Sequence, residues 1–311
     1  MLRWRLVAVF GIADALSATT SSEVFAVSAL GGAQQGAAFR HALRRDAVVV
    51  VMPDESQKEA IAGLSTFATN FFALDSSEQL SFGPLHEPPH CDAHAGVAMP
   101  VGTWQSSYSF GKRVSTFLDT RLRRGDSGLE VLPRSLEAAC PGAARQLVDG
   151  QAALLRVATT ALRAALDGRL SDALLGDLVD DPAALAPGAS AATVQRFARY
   201  ESAAADAAAA HVAFDAHTDG TFLTLVPTSD VPGLEVEAGD GWLRPERGAP
   251  PGSVVVMSGD GLRFVSGGAY PSARHRVLHP EPGASARVSA PFLLRASPRF
   301  RPARDFRLPD G

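Results

Sequence analysis

The chain has 311 residues, of which 46% are apolar, and a formal net charge of −4 at pH 7. This composition predicts a soluble globular protein with one large core or two modest domains. The slightly acidic balance argues against nucleic-acid binding as the main function, because no basic run is long. The two cysteines, Cys91 and Cys140, are too few for a disulfide framework or a tetrathiolate zinc site.

The first 22 residues leave two interpretations open. Arg3 and Arg5 precede an apolar run at residues 6–13, and small residues follow, which is the order of a cleavable targeting segment. The run is short and Asp14 interrupts it, so we favour an apolar or disordered N-terminus and a cytoplasmic location. No other run reaches the roughly 20 apolar residues that a membrane span needs.

Residues 23–130 form the predicted N-terminal region, in which strands and helices alternate. The valine-rich run at residues 47–52 predicts a strand that is covered on both faces, because its apolar character is continuous. The predicted elements are a strand at 24–30, a helix at 34–45, the strand at 47–52 and a helix that begins at Pro53 and Asp54.

Two stretches of this region carry chemically versatile side chains. Residues 86–94 hold three histidines, a glutamate, a cysteine and an aspartate, enough ligands for a second metal site. Pro88 and Pro89 disfavour a continuous helix there, so a surface loop is the preferred interpretation. Residues 99–124 are aromatic and polar, and side chains such as Tyr108 and Lys112 either contact a substrate or pack over the core.

The second half of the chain changes character twice. Residues 131–190 are rich in alanine and leucine, with helical periodicity that predicts a long supporting helix ending near Gly168. Residues 191–300 contain short β-rich runs punctuated by glycine, proline and aspartate, which is typical of an antiparallel barrel or jelly roll. Residues 301–311 form a short C-terminal tail.

Three candidate metal ligands lie in the β-rich region. His217 and Asp219 form an H-x-D triplet, and His275 follows later in the chain. In an extended strand, side chains two positions apart point to the same face, so His217 and Asp219 can reach one ion. Two imidazoles and one carboxylate, with the opposite positions open, suit a non-haem Fe(II) that binds a co-substrate and O2.

The motifs around these residues occur in a fixed order. They are H-T-D-G at 217–220, L-T-L at 223–225, G-L-x-V at 233–236, P-G-S-V-V-V at 251–256, G-D at 259–260, S-x-x-H-R-V at 272–277 and R-x-S at 287–289. Together they resemble the isopenicillin-N-synthase-like branch of the 2-oxoglutarate/Fe(II)-dependent dioxygenases. The resemblance implies a mixed α/β (α+β) fold, in which supporting helices pack on one side of a double-stranded β-helix (jelly-roll) core.

The resemblance also implies a set of iron ligands. These are His217, Asp219 and His275. His279 is a competing distal ligand, but the H-R-V triplet belongs to His275, and Pro280 and the residues after it resemble a turn.

A second set of residues is implied for 2-oxoglutarate. Arg287 and Ser289 stand two apart on what should be the last long strand of the barrel, where a guanidinium and a hydroxyl would hold the distal carboxylate of the co-substrate. Tyr200, preceded at four positions by the basic Arg196, resembles the family tyrosine that supports the co-substrate. Ala198 stands where the family often has a hydrogen-bonding residue, which leaves the details of this support open.

The implied activity is hydroxylation of a small organic molecule by O2, coupled to conversion of 2-oxoglutarate to succinate and CO2. Desaturation and ring closure stay open, and ascorbate is an optional reductant. One alternative is a related non-haem iron oxidase that takes all its electrons from the substrate and uses no 2-oxoglutarate. Another is a barrel that binds a small acid without turnover. A monomer is expected, and the sequence does not identify the primary substrate.

Overall fold

Two β-sheets that pack against each other form the centre of the molecule. The computed structural model describes residues 22–82, 101–105, 114–167, 169–202 and 212–300. Within these residues, one sheet has ten strands and the other has four. The strands are β1 Val24–Ala26, β2 Val48–Met52, β3 Val101–Gln105, β4 Val114–Arg124, β5 Leu129–Leu132, β6 Val194–Tyr200, β7 Val212–His217, β8 Leu223–Pro227, β9 Leu234–Ala238, β10 Gly241–Leu243, β11 Val254–Ser258, β12 His275–Leu278, β13 Arg287–Ser289 and β14 Phe292–Leu294.

The pairing is largely antiparallel. The larger sheet runs β1-β2-β11-β8-β14-β6-β4-β3, while β13 also pairs with β6 and β5 with β4. The smaller sheet runs β10-β9-β12-β7. The helices are α1 Ala33–Asp46, α2 Glu55–Ala73, α3 Ser76–Ser81, α4 Leu136–Ala139, α5 Ala143–Leu166, α6 Asp172–Leu178 and α7 Asp260–Val265. Helices beside a sheet sandwich confirm the predicted fold class.

The valine run of β2 shows how the layers are held together. Val49 and Val51 join the core between the larger sheet and the helices, whereas Val48 and Val50 join the core between the two sheets. Because side chains alternate between the faces of a strand, a strand that is covered on both sides needs apolar residues at every position. The prediction that this run is covered on both faces is therefore confirmed.

Two helices cover the outer face of the larger sheet. Helix α2 begins with a capping box in which the Asp54 carboxylate accepts from the Gln57 backbone N–H and the Gln57 side chain accepts from the Asp54 N–H. Helix α5 is the predicted long supporting helix. It ends at Leu166, and Asp167 rather than a glycine takes the left-handed conformation after it, with φ of 49°. The apolar residues of this layer include Phe67, Phe71, Leu154 and Leu162 from the helices and Leu225, Val254 and Val256 from the sheet.

Two of the predicted strands are shorter than expected. The strand predicted at residues 24–30 ends at Ala26 and continues as a 3-10 turn, Val27–Ala29. The R-x-S strand β13 has three residues, not the length of a last long strand, because the chain breaks its pairing at Ala290 and Pro291. The amide of Gln195 donates to both carbonyls at this break, at 2.8 and 3.1 Å.

Some predictions lie outside the described residues. They concern the segment at 1–21, the histidine-rich stretch at 86–94, the side chains of Tyr108 and Lys112, and the tail at 301–311. The domain boundaries stay a prediction, although the larger sheet joins β2 of the N-terminal region directly to β11 of the C-terminal region. No helix in the described part of the chain combines the length and the apolar character that crossing a bilayer requires.

Candidate metal centre

One end of the gap between the two sheets brings His217, Asp219 and His275 together. His217 is the last residue of β7, His275 is the first of β12, and the two are paired across the smaller sheet. The Nε2 atoms of His217 and His275 lie 3.6 and 3.7 Å from the two carboxylate oxygens of Asp219. Within the described residues, these three form the group of ligand atoms that lie within 4.8 Å of one another.

The local geometry of the H-x-D triplet differs from the sequence-based expectation. Strand β7 ends at His217, so Thr218 and Asp219 lie in the segment between β7 and β8, outside both strands. Asp219 thus lies two residues beyond the paired strand, and its carboxylate still lies beside the His217 imidazole, as predicted from the H-x-D spacing. The carboxylate lies between both imidazoles.

Backbone carbonyls fix the tautomers of the two histidines. The Nδ1 of His217 lies 2.8 Å from the carbonyl oxygen of Asp215, and the Nδ1 of His275 lies 3.1 Å from that of Ala273. Because a carbonyl can only accept, each Nδ1 must carry the hydrogen. Each Nε2 then presents a bare lone pair toward Asp219, which is the orientation of a metal-binding histidine with its outer hydrogen bond in place.

Burial favours the metal-binding form of His275. The side chain is 7% exposed, and this burial lowers the pKa of its imidazole, while the nearby Asp219 carboxylate opposes part of the effect. The neutral imidazole is therefore the favoured form near neutral pH. A neutral imidazole is the form that donates its lone pair to a metal.

The Asp219 carboxylate is oriented by hydroxyl groups. The Thr224 hydroxyl donates to Asp219 Oδ2 at 2.6 Å, and the Thr221 hydroxyl lies 3.0 Å from that of Thr224. Thr224 belongs to the L-T-L motif on β8, and it lines the same cavity as the three ligands. The motif thus supplies a partner that fixes the carboxylate between the two imidazoles.

The G-D motif holds the turn that carries Asp219. The backbone N–H of Asp260 donates to the Asp219 carbonyl at 2.8 Å, and the Thr218 hydroxyl donates to the Asp260 carboxylate at 3.2 Å. A Cβ at Gly259 would stand 2.2 Å from the carbonyl oxygen of Thr221, so any side chain here would push the turn away. The glycine is needed for this close approach of two backbones.

Replacing Thr224 with valine should weaken divalent-metal binding by about 10- to 100-fold, the usual effect of losing an outer-shell partner. The substitution keeps the shape and removes the hydroxyl that orients Asp219. Titration with Mn(II) would measure the change. Thr228→Val is the matched control, because the Thr228 hydroxyl donates to the Ser253 carbonyl and lies outside the cluster. Equal Mn(II) affinities for both variants would contradict this role of Thr224.

The residues predicted to hold the co-substrate line the same cavity. Arg287 on β13 is paired with Tyr200 on β6, and Ser289 is paired with Ala198. The cavity is also lined by His217, Asp219 and His275. The structure therefore brings all six predicted site residues to one cavity. Their roles as ligands of iron and 2-oxoglutarate stay predictions.

Arg287 is a buried cation, and only part of its guanidinium is hydrogen-bonded within the described residues. Its side chain is 1% exposed, and its Nη2 donates to the Glu246 carboxylate at 2.8 Å. In the described part of the chain, its Nε and Nη1 are buried without a hydrogen-bond partner. Buried guanidinium donors are costly when unpaired, so this arrangement fits an anionic ligand that enters the cavity.

Tyr200 and Gly233 shape the space around Arg287. The guanidinium carbon lies 5.8 Å from the centre of the Tyr200 ring, and burial raises the pKa of the Tyr200 phenol, which keeps it neutral. A Cβ at Gly233 would stand 2.7 Å from the Arg287 Cδ. Because Gly233, in the G-L-x-V motif, has no side chain, it leaves the space that the Arg287 side chain occupies.

His279, the competing distal ligand, and Arg196, the basic residue before Tyr200, have other partners. The His279 Nδ1 lies 2.7 Å from the carbonyl oxygen of Glu201, and the residue is not part of the three-residue cluster. Arg196 lines the cavity but makes a two-pronged pair with Asp119, at 2.7 and 2.8 Å. Neither observation favours them over His275 and Arg287.

Sequence reasoning missed Glu246 and Asp119, the carboxylate partners of the two cavity arginines. Each pair joins residues that are far apart in the chain, so no local pattern marks them. Asp119 could have been found by aligning β4 against β6, where it stands opposite Arg196. Glu246 lies in the turn at residues 245–248, after β10, where strand pairing gives no guide.

Residues 190–296 match the model of the 2OG-Fe(II) oxygenase superfamily. Among curated proteins, gibberellin 3-beta-dioxygenase 1 of Pisum sativum is 46% identical over 65 residues, which cover 20% of this chain and 16% of that protein. A probable iron/ascorbate oxidoreductase of Dictyostelium discoideum is 40% identical over 86 residues, or 27% of this chain and 22% of that protein. These alignments span less than a quarter of each relative.

Solved structures match over most of the chain. A full-length protein from Neurospora crassa, in complex with alpha-KG, has a TM-score of 0.67 and 16% identity, and the match covers 93% of this chain and 91% of that protein. Dioxygenase for auxin oxidation 1 from Arabidopsis thaliana, in complex with 2-oxoglutarate, has a TM-score of 0.62 and 14% identity over 88% of this chain and 92% of that protein. At these identities the likeness establishes the shared fold.

Proposed function

We propose that this chain, whose residues 190–296 match the model of the 2OG-Fe(II) oxygenase superfamily, is an Fe(II)- and 2-oxoglutarate-dependent dioxygenase. It would hydroxylate, desaturate or cyclise a small organic molecule and release succinate and CO2. One observation carries the proposal. A cluster of two histidines and one aspartate shares a cavity with a buried arginine that has two unpaired donors within the described residues.

The three clustered side chains fit a divalent iron. His217 and His275 would each give an Nε2 lone pair, and Asp219 would give a carboxylate oxygen. This donor set is the two-histidine, one-carboxylate combination that non-haem Fe(II) oxygenases use. When bound, the iron supplies the activation of O2 that couples oxidation of 2-oxoglutarate to oxidation of the substrate.

The remaining cavity residues would bind and orient the two organic molecules. Arg287 would donate from Nε or from Nη1, which lie on different sides of the guanidinium, to the distal carboxylate of 2-oxoglutarate, with Ser289 and Tyr200 beside it. Phe117 and Phe214 give the cavity apolar walls, and the Arg196–Asp119 pair gives it a polar one. Such a mixed lining suits a small organic substrate that has both apolar and polar groups.

The cellular setting is also a proposal. We propose a cytoplasmic location, with ascorbate as an optional reductant. We further propose that it acts as a monomer. Within the described residues, Val24 and Phe264 are the large apolar side chains that are exposed.

An oxidase that uses no 2-oxoglutarate is the second candidate. One observation favours this oxidase. Arg287 would hold a carboxylate of the substrate equally well, because the available donors of its guanidinium recognise any carboxylate. A non-catalytic barrel that binds a small acid is a weaker candidate, since such a protein has no use for two histidines whose tautomers are set for a metal.

Succinate formation tests the proposal. Purified protein with Fe(II), O2 and 2-oxoglutarate should form succinate slowly without a primary substrate and faster with one. Asp219→Ala should remove this activity, which excludes contaminating enzymes and non-enzymatic decay. O2 uptake that depends on a substrate but not on 2-oxoglutarate would instead support the oxidase. Tight 2-oxoglutarate binding with neither succinate nor O2 uptake would support the non-catalytic barrel.

A further inference from the structure

Glu246 is a fully buried carboxylate to which the proposed reaction assigns no role. Its side chain is 1% exposed, and its Oε1 accepts from Arg287 Nη2 at 2.8 Å. Glu246 therefore already neutralises the arginine that the proposed function assigns to the distal carboxylate of 2-oxoglutarate. A co-substrate carboxylate on the same guanidinium would place a second negative charge beside the first.

The backbone prevents Glu246 from moving away. Its Oε2 accepts from the N–H groups of Gly233 and Leu234 at 2.8 and 3.0 Å, and its Oε1 also accepts from the Ser229 N–H at 3.3 Å. The Ser229 hydroxyl in turn donates to the carbonyl of Val288 at 2.8 Å, which ties this loop to β13. Three backbone N–H groups thus hold the Glu246 carboxylate beside Arg287.

The nitrogen atoms of the Arg287 guanidinium differ in their hydrogen bonding. Nη2 is committed to Glu246, while Nε and Nη1 have no hydrogen-bond partner within the described residues. Gly233 contributes to both features, because its N–H binds Glu246 and its missing Cβ leaves room for the Arg287 Cδ. The arginine is therefore held in one orientation, with its remaining donors available to a ligand.

From these contacts we infer that Glu246 is a built-in counter-ion that positions Arg287 and lowers the affinity for 2-oxoglutarate. This inference rests on the proposed function. Without the co-substrate, Glu246 supplies the negative charge that a buried arginine needs. With the co-substrate bound, its fixed charge repels the distal carboxylate, so part of the attraction of Arg287 is lost.

The sign of this effect can be tested with Glu246→Gln. Removing one negative charge from a pair of buried carboxylates should tighten 2-oxoglutarate binding by about 10- to 100-fold, as expected for like charges in a partly desolvated site. Stability without ligand should fall, because Arg287 loses its counter-ion and a glutamine amide group would face donors. A purely structural role would weaken binding instead.

Isothermal titration calorimetry of the Mn(II)-loaded full chain gives the readout without turnover. The matched ligand is 2-oxopentanoate, which has the chelating end of 2-oxoglutarate and a methyl group in place of the distal carboxylate. Its Kd should not change in Glu246→Gln, while the Kd of 2-oxoglutarate falls. Equal tightening for both ligands would overturn the inference, because the effect would then not act on the distal carboxylate.

Glu235→Gln is the matched control variant. Glu235 is also buried and binds two arginines, Arg244 and Arg276, at 2.7 and 2.8 Å, but it does not line the cavity. It should lose stability as Glu246→Gln does and leave both Kd values unchanged. If Glu246→Gln is not recovered folded, Glu246→Asp replaces it, and the retracted carboxylate should give a smaller tightening of the same sign.

The outcomes separate this inference from the proposed function. If the wild-type protein binds 2-oxoglutarate and Glu246→Gln binds it equally or more weakly, the counter-ion role is wrong and the proposed function stands. If the Mn(II)-loaded wild-type protein shows no binding of 2-oxoglutarate, the proposed function fails, and the inference fails with it.

Discussion

The Asp219→Ala variant is expected to lose most of its affinity for Fe(II) and all of its succinate formation. Asp219 is the charged member of the cluster, and its two carboxylate oxygens lie 3.6 and 3.7 Å from the two imidazole Nε2 atoms. The alanine variant leaves two neutral imidazoles, which hold a hard divalent cation poorly. Anaerobic equilibrium dialysis against Fe(II), followed by measurement of bound iron, would quantify the loss.

Two histidine variants complete this experiment. His275→Ala should also lose iron, whereas His279→Ala should keep it, because the His279 Nδ1 lies against the carbonyl of Glu201 away from the cluster. Both residues are on or next to β12, so the pair controls for damage to this strand. Loss of iron in His279→Ala with retention in His275→Ala would reverse the assignment of the distal ligand.

The Arg287→Ala variant is expected to bind iron normally and to need far more 2-oxoglutarate. Losing one partner of a buried, hydrogen-bonded charge pair costs about 2 to 5 kcal/mol, which corresponds to a Kd higher by roughly tens to thousands of fold. Arg287→Lys should be intermediate, since lysine keeps the charge but loses the planar fork. Titration of 2-oxoglutarate into the anaerobic Fe(II) protein, followed by the charge-transfer absorbance of the chelate, would measure the change.

The Glu246–Arg287 pair also affects the stability of the Arg287→Ala variant. In Arg287→Ala the buried Glu246 loses its cationic partner, so a lower unfolding temperature is expected together with weaker binding. The double variant Arg287→Ala/Glu246→Gln removes both charges and should recover part of the stability without recovering the affinity. An unchanged titration curve for folded Arg287→Ala would place the carboxylate elsewhere, with Arg196 as the next candidate, and would favour an oxidase that does not use 2-oxoglutarate.

Features that depend on a few neighbouring residues could be predicted from the sequence. The valines of β2 indicated a strand covered on both faces, and Asp54 indicated a helix start, because strand alternation and helix capping act over a few residues. The order of motifs from H-x-D to R-x-S was enough to select the residues that meet in one cavity.

Features that depend on distant partners could not be predicted. Asp219 lies just outside strand β7, and the N–H of Asp260, far along the chain, donates to its carbonyl. At the break after β13, the side chain of Gln195 in another strand binds the carbonyls of Ala290 and Pro291. The Glu246–Arg287 pair forms only after the sheets have assembled, so neither residue carries a local signal for it.

The pairing of β2 with β11 determines which part of the chain a catalytic fragment must contain. Strand β11 leads directly to Gly259 and Asp260, which anchor the turn of Asp219, and β2 covers its other edge along four residue pairs from Val254 to Met257. A fragment limited to the superfamily match at 190–296 would lack β2. It would expose an unpaired edge of continuous valines, the kind of edge that promotes aggregation. A minimal catalytic fragment therefore has to retain the N-terminal strand, although the recognisable motifs all lie more than a hundred residues after it.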